Sequence, residues 1–163
     1  MIVVANSTPL IYLAAIQRFD LLRRLFGRIV IPQAVYQEVV TEGSGRPGAA
    51  ETAGADWVEQ HLVTDRAKVD ALMDHLDSGE AEVIALATQM PADLVVMDEA
   101  SGRRDLKQER LTFTGTVGVL IMATRLELIP GLRPELDRLR TSGFHLSESI
   151  YRLCLEQVGE SPA

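Results

Sequence analysis

The chain has 163 residues, 47% of them hydrophobic, and a formal net charge of −7. That length and apolar content suit one compact domain with its own core, and the charge counts against a protein that grips nucleic acid through an overall positive field. Every long apolar run is broken by Arg, Asp or Gly, so no segment reads as a membrane-spanning helix and no membrane partner is expected. The sequence opens on Ile2-Val3-Val4-Ala5 without a basic n-region or a small-residue cleavage site, so no signal peptide is expected. Cys154 is the only cysteine, which excludes an internal disulfide and, with no export signal, leads to an expected cytoplasmic location.

Taken in order, Ile2 to Ala5 is a short apolar run typical of a buried strand. It stops at Asn6-Ser7-Thr8-Pro9, where Thr8 suits an N-cap and Pro9 a first helical position, so a helix is expected through Leu10, Leu13 and Ile16. Asp20 stands near the start of a second helix with Leu21, Leu22, Leu25 and Phe26 as its apolar face, ended by Gly27. Ile29 to Ile31 is a second strand, and Pro32 opens a helix from Gln33 to about Thr41. Residues 42–54 hold Gly43, Gly45, Pro47, Gly48 and Gly54 and read as a loop with room for one short helix. Next come a strand over Trp57 to Val63, a helix over Lys68 to Leu76 and a strong helix over Glu80 to Gln89. An apolar strand from Asp93 to Met97 leads into a turn, Asp98 to Gly102, and a helix, Arg103 to Glu109. Leu111 to Thr114 is a short strand and Thr116 to Glu127 a helix. Two amphipathic segments, Pro134 to Arg140 and Ser147 to Val158, close the chain. The whole reads as one domain over residues 1–163, with a core to about 130 and a C-terminal helical tail, 131–163.

Strands alternating with helices imply a mainly parallel sheet between two helical layers, an α/β/α arrangement. In such folds function gathers at the carboxyl ends of the strands. The first strand is followed by Asn6, Ser7 and Thr8, and the strand ending at Met97 by Asp98 and Glu99. Glu38 and Glu80 lie on helices. Glu82 follows Glu80 by two positions, so the pair cannot share one helix face. Crowded carboxylates repel unless metal or protons neutralise them, and hard oxygen donors suit Mg²⁺ or Mn²⁺. Helix capping and solvent exposure account for any one of these acids equally well. Thr114-Gly115-Thr116 with Gly118 permits a tight strand-to-helix turn; Thr116 then either contacts a phosphate or simply caps the helix. The Lys-Ser/Thr ending of a nucleotide-binding loop is missing. His61, His75 and His145 have no zinc-ligand spacing. Only Lys68 and Lys107 are lysines among 16 basic residues. Arg18, Arg23, Arg24 and Arg28 form one arginine-rich group, and Arg103, Arg104, Lys107 and Arg110 another. Either is a phosphate-contacting patch or a solvated face.

The segments VVANSTPLIYLAAIQRFDLLRRLFG, IVIPQAVYQEVV, LDSGEAEVIALA, LVVMDEASGRR and TGTVGVL occur in this order from Ile2 to Leu120, followed by the tail GFHLSESIYRLCLEQVGE. Together they resemble the PIN-domain family, in a branch related to the VapC-type toxin ribonucleases. The resemblance implies a PIN fold, a pocket of three or four acids holding Mg²⁺ or Mn²⁺, cleavage of single-stranded RNA and, for many relatives, an antitoxin protein that holds a toxin inactive. Position by position it makes Glu38, Glu80, Asp98 and Glu99 metal ligands and places Ser7 and Thr8 where small hydroxyls orient a ligand or water; Thr116, if it contacts a phosphate, would orient substrate beside them. Asn6 matches the first acid of the family's usual pattern and is here an amide, which keeps a carbonyl oxygen but no charge. Two other functions stay open beside the toxin nuclease. One is a PIN module that works by RNA or protein binding, because of Asn6. The other is a phosphotransfer protein of receiver or phosphatase type, against which stand Asn6 and the scarcity of lysine. The amphipathic C-terminal helix and Leu126 to Ile129 also suit a homodimer face or plain core packing.

Overall fold

The computed structural model describes residues 1–161. Five short strands form the sheet: β1 (Val3–Ala5), β2 (Ile29–Pro32), β3 (Val58–His61), β4 (Leu94–Val96) and β5 (Phe113–Thr114). They pair in the order β3-β2-β1-β4-β5, and every pairing is parallel. Val4 lies opposite Val30 and Val95, Ala5 opposite Val96, and Val96 opposite Thr114. Parallel neighbours need a crossover, and helices supply it: α1 (Ser7–Ala15), α2 (Asp20–Phe26), α3 (Gln33–Tyr36), α4 (Ala49–Gly54), α5 (Arg66–Leu72), α6 (Ser78–Gln89), α7 (Ala100–Gln108) and α8 (Thr116–Arg125). Two more, α9 (Arg133–Thr141) and α10 (Glu148–Gln157), follow the last strand.

Successive side chains of a strand point to opposite faces, yet Val3, Val4 and Ala5 are all fully buried, as are Val95, Val96 and Met97. Both faces of the sheet are therefore covered, and the architecture is the expected three-layer α/β/α fold with a wholly parallel sheet. Helices α1 and α2 pack against α8, while α3, α5 and α7 pack against α6. Helix α6 is buried from Gly79 through Ala87, the pattern of a helix enclosed by its neighbours. Leu132, Leu136 and Leu139 of the α9 region and Tyr151 and Leu155 of α10 join the same apolar cluster as the sheet. No helix among the described residues is long and apolar enough to cross a membrane.

The element boundaries differ from the sequence reading where capping decides them. Helix α1 starts at Ser7, so Asn6, with an extended backbone, takes the N-cap place expected for Thr8. Pro9 then stands third in the helix, where its missing N–H costs nothing because the first four helical N–H groups lack intrahelical acceptors. Helix α6 starts at Ser78, two residues early, because Asp77 caps it: Glu80 N–H donates to Asp77 Oδ1 at 2.8 Å and Asp77 N–H to Glu80 Oε2 at 3.0 Å, the reciprocal capping box. Helix α7 begins at Ala100, with Glu99 as its cap residue, in place of a turn to Gly102. The helix expected over 33–41 is α-helical only to Tyr36 and widens into a π-turn over Gln37–Thr41, the stretch that carries Glu38.

Candidate functional site

The chain order reverses beside β1, since β2 and β3 lie on one side of it and β4 and β5 on the other. In an open parallel sheet the crevice forms at such a point, beyond the carboxyl ends of the strands. Asn6 follows β1 there, and Asp98 and Glu99 follow β4. The two strand ends are tied by the Asn6 N–H, which donates to the Val96 carbonyl at 2.9 Å.

The first turn of α1 orders two of the acids. Asn6 Nδ2 donates to Glu99 Oε2 at 3.0 Å and Thr8 Oγ1 to Glu99 Oε1 at 2.5 Å. Ser7 Oγ donates to Glu38 Oε2 at 2.7 Å. Asn6 is thus the cap residue of α1 by position while its side chain holds a carboxylate from the end of β4. Asp98 is fixed by α8: the Thr116 N–H donates to Oδ1 at 2.9 Å and the Thr116 hydroxyl to Oδ2 at 2.7 Å. Thr116 is fully buried, so this hydroxyl acts on Asp98 and presents no surface of its own. Glu80 is buried, with one oxygen committed to the α6 capping box. Glu82 is also buried but serves other neighbours, accepting from the Ala34 N–H at 3.0 Å and from Arg66 at 2.9 Å.

The four acids Glu38, Glu80, Asp98 and Glu99 share one electrostatic neighbourhood. Burial pushes the Glu80 carboxyl above its ordinary 4.5; the Asp77 N–H opposes this, and the charges of Asp77, Glu99 and Glu38 add to it. Burial likewise raises Asp98 above 3.8, against the two bonds from Thr116; Glu99 pushes it further up and Arg103 draws it down. The donors are all oxygens, the chemistry that suits Mg²⁺ or Mn²⁺. The space that a Cβ on Gly79 would fill lies 3.3 Å from Glu38 Oε2 and 3.5 Å from Asn6 Oδ1, a small cradle lined by oxygen. The acids are turned to their hydroxyl, amide and N–H donors, and among the described residues no three His, Cys, Asp or Glu side chains form a group that can hold an ion as they stand. The donor chemistry fits a hard divalent ion.

Two clefts open from this neighbourhood. One, of about 770 Å³, is bordered by Thr8, Asp98, Glu99 and Arg103 and by apolar residues of α8 and the C-terminal segment. The other, of about 540 Å³, holds Glu38, Asp77 and Gly79. Sequence reasoning placed Arg103 only within a basic group. It is set apart by its Nε bond to the Met97 carbonyl at 2.8 Å and by its guanidinium, 5.2 Å from the centre of the Phe113 ring, whereas Arg104, Lys107 and Arg110 are exposed. Asp77 and Gly79 also belong to the site and were not singled out for it, and Gly115, expected only to permit a tight turn, leaves the room that Asp98 and Arg103 fill; the D-x-x-E spacing of Asp77 and Glu80 was the available signal for the capping box.

A family model described as a PIN domain matches residues 2–160. The chain belongs to the PIN-domain family. No curated protein matches it. PIN domains are in general nucleases, so they act on nucleic acid, and they typically use divalent metal ions. In this PIN domain the matched span takes in α9 and α10, so the C-terminal helices belong to the family unit rather than lying outside it.

Proposed function

We propose that this PIN domain is a metal-dependent endoribonuclease that cleaves single-stranded RNA, and that it is the toxin of a toxin–antitoxin pair related to the VapC type, acting in the cytoplasm as one domain. The observation that carries the reading is that consecutive residues at the switch point, Asn6, Ser7 and Thr8, hold Glu99 and Glu38, with Glu80 and Asp98 close enough to feel their charge. Asp98, Glu99, Glu80 and Glu38 would hold Mg²⁺ or Mn²⁺, with the Asn6 carbonyl as a neutral donor beside them. Such an ion acidifies water and neutralises charge on a phosphoryl oxygen.

The chain's own hydroxyls do the orienting. Thr116 fixes Asp98 through two bonds, Thr8 fixes Glu99 and Ser7 fixes Glu38. Hydrogen bonds behind a ligand set its direction and basicity, so these three residues act as positioning residues. An antitoxin would silence the protein by covering this site, and a homodimer would leave it on each copy.

A second reading has one specific observation in its favour. Asn6 offers an N–H to Glu99 where an acid would offer charge, so the domain would bind RNA or protein without cutting. The decisive assay incubates the pure protein with a labelled, mixed-sequence single-stranded RNA and Mn²⁺, beside Asn6→Asp and Asp98→Ala. Cleavage by the parent that Asp98→Ala abolishes, with that variant still folded, is expected. Cleavage that appears only with Asn6→Asp would replace the nuclease with the binding module.

A further inference from the structure

The larger cleft is built unlike the acid cluster it adjoins. Asp98 and Glu99 stand on its border with Thr8 and Thr114; most of the remaining wall is apolar or aromatic, including Tyr12, Phe113 and Phe144, with His145 next to Phe144. Arg103 is the one Arg or Lys in its lining. Among the described residues no carboxylate lies within ion-pairing distance of the Arg103 guanidinium, although Asp98 feels its charge; its one hydrogen bond is from Nε to Met97, and its plane rests over Phe113. A volume of about 770 Å³ falls in the range of small-ligand pockets, roughly 300–1,000 Å³.

The far wall is held in place. Gly143, at φ 99°, turns the chain out of α9. Phe144 then packs edge-on against Tyr12, ring centres 5.1 Å apart. Arg140 lies 4.0 Å from the centre of the Tyr151 ring and donates to the carbonyls of Leu146 and Ser147 at 3.3 and 3.4 Å. The C-terminal segment therefore presents a fixed aromatic surface across from the acids.

Resting on the proposed nuclease reading, we propose that this cleft is a nucleotide subsite: one unstacked base of the RNA lies on Phe144, and Arg103 holds the phosphate next to it. Single-stranded RNA is recognised by splaying bases onto aromatic rings and guanidinium planes, and a guanidinium with free N–H groups pairs with phosphate. An overall charge of −7 makes one local cation and one stacking surface the means of holding a polyanion against four carboxylates. The cleft takes a base because it is concave and largely aromatic and apolar, with Asp98 and Glu99 on its border, where the backbone must pass to be cut. Phe144 and Arg103 thus select where the strand is cleaved.

The test measures equilibrium binding of a fluorescent single-stranded RNA to metal-free protein in chelator, so no turnover is needed. The RNA is offered intact and as a series with one abasic position each. Parent, Phe144→Leu and Arg103→Gln are compared; leucine keeps the apolar volume against Tyr12 while removing the flat ring. Loss of one stacked base corresponds to roughly 5- to 100-fold in affinity. Expected are one abasic position that costs the parent about tenfold and costs Phe144→Leu nothing further, and an Arg103→Gln variant about tenfold weaker with a shallower salt dependence. Parent RNA binding that neither variant changes overturns the subsite alone, leaves the nuclease reading standing and gives the cleft to a protein side chain. A parent that binds no RNA in chelator also overturns the subsite, and the Mn²⁺ cleavage assay then decides the nuclease reading separately.

Discussion

Asn6 does with an amide what an acid cannot. Its Nδ2 donates to Glu99, so it settles a carboxylate that an aspartate in its place would repel. The substitution Asn6→Asp removes a bond to a charged group, roughly 1.5–3 kcal/mol, and adds a like charge beside Glu99. In chelator Asn6→Asp is expected to melt several degrees below the parent. With millimolar Mn²⁺ it is expected to gain more than the parent does, since a ligand that binds only the native state stabilises it in proportion to its affinity. Thermal melts with and without Mn²⁺ decide this, and a variant as stable as the parent in chelator would mean that the Asn6–Glu99 bond contributes nothing. At this scale the local pattern does not mark Glu38 and Glu80, which lie on helices, whereas the place of Asp98 and Glu99 after a strand was legible in it. The role of Arg103 was not, since it depends on the Met97 carbonyl and the Phe113 ring, six and ten residues away in sequence and adjacent only through the β4–β5 pairing. Glu80 also caps α6 through one oxygen, a role that the D-x-x-E spacing with Asp77 signals and that was passed over for its place among the acids.

Elements place these side chains through their first turns, and there the sequence was read least accurately. The alternation of strand and helix follows from Val- and Ile-rich runs separated by helical periodicity, and it stands in the fold as expected. The starts of α1, α6 and α7 moved by two or three residues, because several neighbouring residues can each cap a helix and long-range bonds choose among them. Asn6 rather than Thr8 begins α1, and Thr8 is left free to reach Glu99. Gly115, before α8, shows the same dependence on distant partners. Its backbone is extended, so conformation does not require glycine; space does. A Cβ there would stand inside contact distance of Asp98 Oδ1 and an Arg103 Nη. Gly115→Ala is expected to fold, since both obstacles are side chains, with a melting temperature a few degrees down. It should lose Mn²⁺ affinity about tenfold or more, the usual scale for disturbing the support of a metal ligand. Calorimetric titration with Mn²⁺ is the check, and parental affinity in Gly115→Ala would show that Asp98 need not stay where Thr116 holds it.

Across the whole molecule, amphipathic periodicity told which face of each C-terminal helix is apolar but not what it meets. The segment buries Leu132, Leu136, Leu139 and Leu155 in the common core and lends Phe144 to the cleft wall, a placement that only tertiary packing decides. The same packing makes the acid cluster a stability term. Burial raises Glu80 and Asp98 above their ordinary 4.5 and 3.8, so over the window above those values the native state holds more protons than the unfolded chain. Stability then falls as pH rises: the native advantage is complete below the ordinary carboxylate range and is lost as pH climbs through the raised values. Glu80→Gln isolates one such group, because a glutamine oxygen still accepts from the Asp77 N–H but carries no charge at any pH. In chelator the variant and parent should melt alike in mild acid, and the variant should become the more stable of the two as pH rises to 8. Mn²⁺ should reverse the order at high pH by stabilising the parent, whose carboxylate it can use, more than the variant. A parent-minus-variant difference that stays flat, or rises with pH in chelator, would mean that Glu80 is not strained by its neighbours. The acid cluster would then have no unmet charge for an ion to relieve.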